Sequence, residues 1–276
     1  MEITSRPAKH AAGRLRRSGT GPIVVVTDLD GTLLDHDTYQ AGPAAGAVTA
    51  LQNAGVMIVC CSAKTRAEQQ VHRKELGIDG PYIVENGAAI HGADDTPLEI
   101  LGLPYDEVRS RLLGAAQRSN VTVRGFADMS TAELAERTNL SQDAARRARA
   151  REYTEAFVVV DAQPDADGLA AALAEAGLRL QRGARFWTAS GDHDKGLAVG
   201  RLLQHLTREL GERPLLYGLG DTYNDAAMLM AVDVAFLVQR PDGTWADLAV
   251  ERLEYLPGIG PAGWCRGADI ILAGRA

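Results

Sequence analysis

Residues 24–38 read VVVTDLDGTLLDHDT, and this stretch limits the possible folds more than any other. Val24, Val25 and Val26 favour a strand covered on both faces, the environment of a parallel sheet packed between helices. Asp28 and Asp30 are disfavoured inside strands and Gly31 punctuates, so the strand ends with two carboxylates at its carboxyl end. Open α/β sheets bind their ligands at that edge. Side chains two apart on extended backbone point the same way, so Asp28 and Asp30 can face one site. Two anions held together ask for a cation or a shared proton.

The rest of the chain repeats the pattern. Residues 42–54 carry Ala47, Ala50, Leu51 and Ala54 at helical spacing. VMIVCCSAK reads as a second buried strand ending in small polar residues, and RAEQQVHRKELG as a helix closed by Gly77. PYIVENGAAI reads as a third strand running into Glu85-Asn86-Gly87. Later come a helix over 195–210, the strand LLYGLG, the helix NDAAMLMA and the strand DVAFLV. Strands alternating with helices predict βαβ units and a Rossmann-like, doubly wound parallel sheet over 22–87 and 190–276. Between them, over 88–189, helical segments (about 104–119, 130–137 and 141–152) alternate with strand-like runs such as EAFVVV and RFWTAS. This predicts an inserted α+β cap domain of ordinary size. LPGIGPAG, near 256–263, reads as a loop before a final helix.

Composition narrows the function classes. A net charge of −7 on 276 residues argues against non-specific nucleic-acid binding, which rests on basic surface. No apolar stretch approaches the ~20 residues of a membrane span. Cys60, Cys61 and Cys265 make no disulfide framework, and the adjacent pair reads as core packing in a reducing compartment. Residues 1–21 hold five Lys/Arg against one acid and lack the apolar segment of a secretory signal. They read as a disordered basic tail on a cytoplasmic protein.

Four strand ends carry polar residues suited to one reaction: Asp28/Asp30; Ser62 with Lys64; Lys195 at a helix start after GDHD; and GLGDTYND, with Asp221, Asn224 and Asp225. Together, TDLDGTLL, SAK, DKG and GLGDTYNDAAML resemble the haloacid dehalogenase-like phosphatases with a large cap after the third strand. SAKTRAE, YIVENGAAI and TAELAERTNLSQDAARRARAREY are similar to the mannosyl-3-phosphoglycerate phosphatases within them. General sugar phosphatases of the group usually show Thr-Gly-Arg where this chain has Ser62-Ala63-Lys64, which fits the narrower family.

The resemblance implies a Mg²⁺-dependent phosphatase that hydrolyses mannosyl-3-phosphoglycerate to mannosylglycerate, a compatible solute. A glucosyl analogue is a second candidate substrate, and a hexose phosphomutase on the same scaffold is the rival activity. Carboxylates can serve as nucleophiles in phosphoryl transfer. Asp28 would attack phosphorus, and Asp30 would protonate the leaving oxygen and then activate water. Asp28, the backbone carbonyl of Asp30 and Asp221 would hold Mg²⁺. Ser62 and Lys195 would bind the phosphoryl oxygens, with Asn224 and Asp225 in support. Lys64, Glu85 and Asn86 are candidates to contact sugar or glycerate. In the cap, Arg147 and Arg151 would share a helix face at i,i+4. Arg149 and Arg151 are the candidates to grip the glycerate carboxylate, since a guanidinium binds carboxylate bidentately. Arg146 reads as a solvated face and His193 as structural.

Overall fold

The computed structural model describes residues 21–161, 165–183 and 185–274. The basic tail inferred for residues 1–21 lies, but for Gly21, outside them. The chain opens with β1 (Ile23–Thr27), α1 (Ala44–Asn53), β2 (Met57–Cys61), α2 (Arg66–Leu76) and β3 (Tyr82–Val84). The sequence accounts for each boundary. Thr65 caps α2 in a capping box with Glu68, and Gly77 ends it at a left-handed φ of 63°. Val24 and Val26 enter one apolar layer and Ile23 and Val25 the other, so β1 is buried on both faces.

β4 (Ala89–His91) and β5 (Pro97–Ile100) follow. The run PYIVENGAAI is therefore a hairpin rather than one strand, with β3 and β4 antiparallel. Three successive residues, Glu85 (φ 47°), Asn86 (φ 61°) and Gly87 (φ 100°), reverse the chain in left-handed conformation, strained for the first two. Both β4 and β5 extend the core sheet, although their residues fall in the stretch read from sequence as cap.

The second sheet begins only at Val123. After α3 (Tyr105–Arg118) come β6 (Val123–Gly125), α4 (Thr131–Thr138), α5 (Gln142–Ala148), β7 (Thr154–Val159), α6 (Ala166–Glu175), β8 (Arg179–Arg182) and β9 (Trp187–Ser190). The strands form an antiparallel sheet in the order β6-β7-β9-β8. Its two faces are covered by separate apolar clusters, one shared with α3 and α6, the other with α4 and α5. The helix expected over 141–152 stops at Ala148. The backbone N–H groups of Glu152 and Tyr153 donate to the Glu85 carboxylate instead of to helix carbonyls. Arg151 consequently lies off the helix, and the shared face with Arg147 does not form.

The chain then completes the core with α7 (Lys195–Leu210), β10 (Leu215–Gly220), α8 (Ala226–Met230), β11 (Val234–Gln239), β12 (Leu253–Ile259) and α9 (Pro261–Ala273). Part of LPGIGPAG is strand rather than loop. Pro257 and Gly258 sit in β12, an edge strand, where a missing backbone donor is tolerated. The core sheet runs β12-β11-β10-β1-β2-β3-β4-β5, parallel from β12 to β3. Its connections diverge on either side of β1. A crevice opens at such a reversal, beyond the carboxyl ends of the strands.

Candidate active site

The reversal lies between β1 and β10, and each strand delivers carboxylates there. Asp28 follows β1, and its N–H donates to Leu219 O at 2.9 Å, which continues the ladder past the strand end. Asp221 follows β10. Gly31 (φ 79°) makes the fit possible, because a Cβ there would come within 2.7 Å of Asp221 Oδ2. Thr32 Oγ1 donates to Asp221 Oδ1 at 2.9 Å. The run Asp-Gly-Thr thus reverses the chain beneath one carboxylate and fixes a second.

Lys195, 1% exposed, is the hub. Its Nζ donates to Asp28 Oδ1 at 2.6 Å and Asp225 Oδ1 at 2.7 Å. The other oxygen of Asp225 accepts the N–H groups of Asp221 (3.0 Å) and Thr222 (3.1 Å). Asp194 caps the helix that Lys195 begins. Gly87 lets the β3–β4 turn lie against this loop, for a Cβ would sit 2.1 Å from Asp194 O. Burial opposes the charge on Lys195, but Asp225 and Asp28 outweigh it and hold the ammonium firmly protonated.

The carboxylates are pushed the other way. Burial raises Asp28 to about 7; Lys195 resists, while Asp225 and Asp30 add to the rise. Burial raises Asp221 to about 8, aided by Asp225 and Asp28. Oxygen atoms of Asp28, Asp221 and Asp225 lie within 4.8 Å of one another. Three buried carboxylates therefore face one ammonium. The shortage of positive charge and the all-oxygen donor set suit a hard divalent cation such as Mg²⁺.

Asp30 differs from the other three acids, its side chain being 38% exposed. Its Oδ1 forms an ion pair with Lys64 Nζ at 3.0 Å. Lys64 also lies 3.8 Å from Glu68. Burial opposes its charge, and Asp30 and Glu68 restore it. Ser62 sits one residue beyond β2 on the same edge, with its Oγ accepting the N–H of Lys64 at 3.3 Å.

The remaining candidates from the sequence have other partners. The Glu85 carboxylate accepts from the N–H groups of Glu152 (2.7 Å) and Tyr153 (3.2 Å) and from Thr154 Oγ1 (2.6 Å). It fastens the returning cap segment to the core. Asn86 and Asn224 join Gln181 in a ring in which each amide donates to the next, at 3.1, 2.5 and 2.9 Å. Among the described residues Asn224 does not hydrogen-bond Lys195. Arg149 donates to Phe126 O, Thr131 Oγ1 and Ala127 O, all in the segment between β6 and the first residue of α4. Arg151 donates to Thr154 Oγ1 at 2.6 Å and lies 3.9 Å from Glu85. Neither arginine joins the carboxylate cluster. The sequence reading missed Thr32, Gln181, Tyr39 and Arg185. Thr32 follows the DLDG motif directly and could have been inferred from it. Gln181 and Arg185 lie in a hairpin that no motif marks.

The haloacid dehalogenase-like hydrolase family matches residues 25–128. The fold is shared with a solved haloacid dehalogenase-like hydrolase from Bacteroides thetaiotaomicron (TM-score 0.62, 18% identity, 91% of this chain and 99% of that one). It is also shared with a solved protein from Thermoplasma acidophilum (TM-score 0.66, 17% identity, 92% and 97%). The chain is a hydrolase of the haloacid dehalogenase-like superfamily. A glucosyl-3-phosphoglycerate/mannosyl-3-phosphoglycerate phosphatase of Methanococcoides burtonii is 34% identical over 256 residues, 87% of this chain and 94% of the relative. One of Persephonella marina is 32% identical over 88% and 94%. Within the superfamily the chain belongs to this family of phosphatases, which are phosphomonoester hydrolases.

Proposed function

We propose that the protein is a Mg²⁺-dependent phosphatase that converts a glycosyl-3-phosphoglycerate, mannosyl or glucosyl, into the glycosylglycerate and phosphate. The substrate follows from the names of the Methanococcoides burtonii and Persephonella marina relatives. The observation that carries the chemistry is the Lys195 bridge between Asp28 and Asp225, set beside Asp221.

Asp28 is the nucleophile, and its attack on phosphorus forms an aspartyl-phosphate. The Lys195 ammonium, held as a cation, favours the ionised Asp28 and neutralises phosphoryl oxygens as they approach. Asp30 protonates the departing glycerate oxygen, then takes a proton from the water that cleaves the intermediate; such assistance is worth about 10²–10⁴-fold. Its partial exposure suits a group that exchanges protons with solvent. Ser62 Oγ contributes a phosphate donor. Asp28 and Asp221, with Asp225 beside them, would hold Mg²⁺, which supplies charge neutralisation of the phosphoryl group when bound.

Phosphate release is the decisive assay, run on mannosyl- and glucosyl-3-phosphoglycerate, hexose phosphates and an aryl phosphate. Metal-dependent release from the glycosyl esters, lost in excess chelator and restored by Mg²⁺, is the expected result. Isomerised sugar phosphate without free phosphate would establish a mutase instead. Full activity in stripped protein with chelator would remove the metal from the reading.

A further inference from the structure

Arg149 donates to Phe126 O, Ala127 O and Thr131 Oγ1, and Arg151 is held against Thr154 and Glu85, so a carboxylated leaving group needs a more exposed cation. The hairpin joining β8 to β9 carries one. Arg185 Nη2 donates to the Tyr39 hydroxyl at 3.4 Å, a contact between the cap hairpin and the loop that follows β1. Lys64 Nζ lies 4.8 Å from the centroid of the Tyr39 ring and pairs with Asp30 at 3.0 Å. A continuous line therefore runs from Asp30 through Lys64 and Tyr39 to Arg185. Because Asp30 addresses the leaving oxygen, the part of the substrate beyond phosphorus lies along that line.

Two features single out Arg185 on it. Tyr39 adopts a left-handed φ of 56°, a strained conformation for an aromatic residue that persists only where its surroundings enforce it. Its N–H donates to Asp35 O at 2.9 Å, and Asp35 Oδ1 in turn accepts from Thr38, so the loop holds the ring in place. Arg185 itself is exposed and has no carboxylate partner among the described residues. One long hydrogen bond leaves most of its five donors free. Lys64, by contrast, is already shared between Asp30 and Glu68. Gln181, at the start of the same hairpin, offers a neutral amide, which suits a hydroxyl rather than a carboxylate.

We propose that Arg185, steadied by Tyr39, binds the carboxylate of the leaving group and so sets the enzyme's preference for phosphomonoesters of carboxylated alcohols. This rests on the phosphatase reading above. A planar guanidinium grips a carboxylate through two parallel hydrogen bonds, which an ammonium cannot reproduce.

The test compares KM and kcat for 3-phosphoglycerate, glycerol 3-phosphate and glycosyl-3-phosphoglycerate in the wild type, Arg185→Gln and Arg185→Lys, with thermal melting of each. Arg185→Gln is expected to raise KM for the two carboxylated esters about tenfold to a hundredfold, the range of one charge-assisted contact. Glycerol 3-phosphate should move far less, melting should stay unchanged, and Arg185→Lys should recover only part of the preference. If glycosyl-3-phosphoglycerate is a substrate and Arg185→Gln affects all esters alike or none, the proposal falls and the substrate reading stands. If the glycosyl ester is not hydrolysed but 3-phosphoglycerate loses its advantage over glycerol 3-phosphate in Arg185→Gln, the substrate reading falls and the proposal stands.

Discussion

The carboxyl edge of the core sheet and the arginine-rich segment of the cap are both crowded with charge, yet they use it in opposite ways. At the core edge Lys195 is buried between acids that arrive from two non-adjacent parts of the chain, Asp28 and Asp225. Those acids are left with more negative charge than the ammonium cancels. In the cap, Arg149 grips Phe126 O and Ala127 O and Arg146 pairs with Asp143 one turn away. Those charges are matched locally or hydrated. Unbalanced buried charge marks a place where a ligand completes the electrostatics; balanced charge marks scaffold.

The largest expected effect breaks the core side of this contrast. Asp28→Asn should lower phosphatase turnover by at least about 10⁴-fold, the scale of loss when a nucleophile is removed. Stability should change little or rise, because the change removes one of three carboxylates crowded around Lys195. Steady-state kinetics and chemical denaturation on the same preparation check both halves. Turnover near the wild type would take the nucleophile role from Asp28.

The next effect is on stability. Lys195→Met leaves Asp28 and Asp225 buried with no cation, and breaking a buried pair in this way costs about 3–5 kcal/mol. Urea denaturation should show that loss together with loss of activity. The double variant Asp28→Asn/Lys195→Met should regain part of the stability but none of the activity. Equal stability of the single and double variants would mean that Lys195 is not held by the charge of Asp28.

The same contrast decides what could be read from the sequence. Topology forces a strand end in a doubly wound sheet to the ligand edge, so Asp28, Asp30 and Asp221 could be placed without seeing the fold, whereas Lys195 follows a strand of the second sheet and reaches that edge from the start of α7. Asp225 was legible only as support, because its oxygens reach Lys195 through a tight turn whose path depends on Gly220, where a Cβ would press against Asp225. Asn86-Gly87 is a turn pair that takes left-handed backbone readily, but Glu85, which does not advertise it, adopts it too, and so the β3–β4 hairpin was missed. In the cap, the position of a helical arginine depends on where the helix stops. Glu85, more than sixty residues away in sequence, stops α5 by taking the N–H groups of Glu152 and Tyr153. Arg185 and Gln181 owe their places to the β8–β9 hairpin of the second sheet, which no local pattern encodes.

The smallest effect tests the cap side, and it separates two arginines that both lie beside the second sheet. Arg149→Ala removes donors to two carbonyls and to Thr131 Oγ1 at the C-terminal end of α5. Hydrogen bonds from a charged donor contribute roughly 1.5–3 kcal/mol when well formed. These three are 3.2–3.3 Å long, and the residue is partly exposed, so a total of about 1–2 kcal/mol is expected once solvent competes for the freed carbonyls. That is a fall in melting temperature of a few degrees for a protein of this size. KM for glycosyl-3-phosphoglycerate and for an aryl phosphate should both stay within about twofold, because Phe126 O, Ala127 O and Thr131 Oγ1 hold the Arg149 guanidinium away from the carboxylate cluster. Arg185→Gln should show the reverse, with melting unchanged and KM raised for carboxylated esters alone. If Arg149→Ala instead raised KM selectively for the carboxylated ester with no loss of melting temperature, its guanidinium would have to leave Phe126 and Ala127 during turnover, and the division between scaffold and ligand-facing charge drawn above would fail.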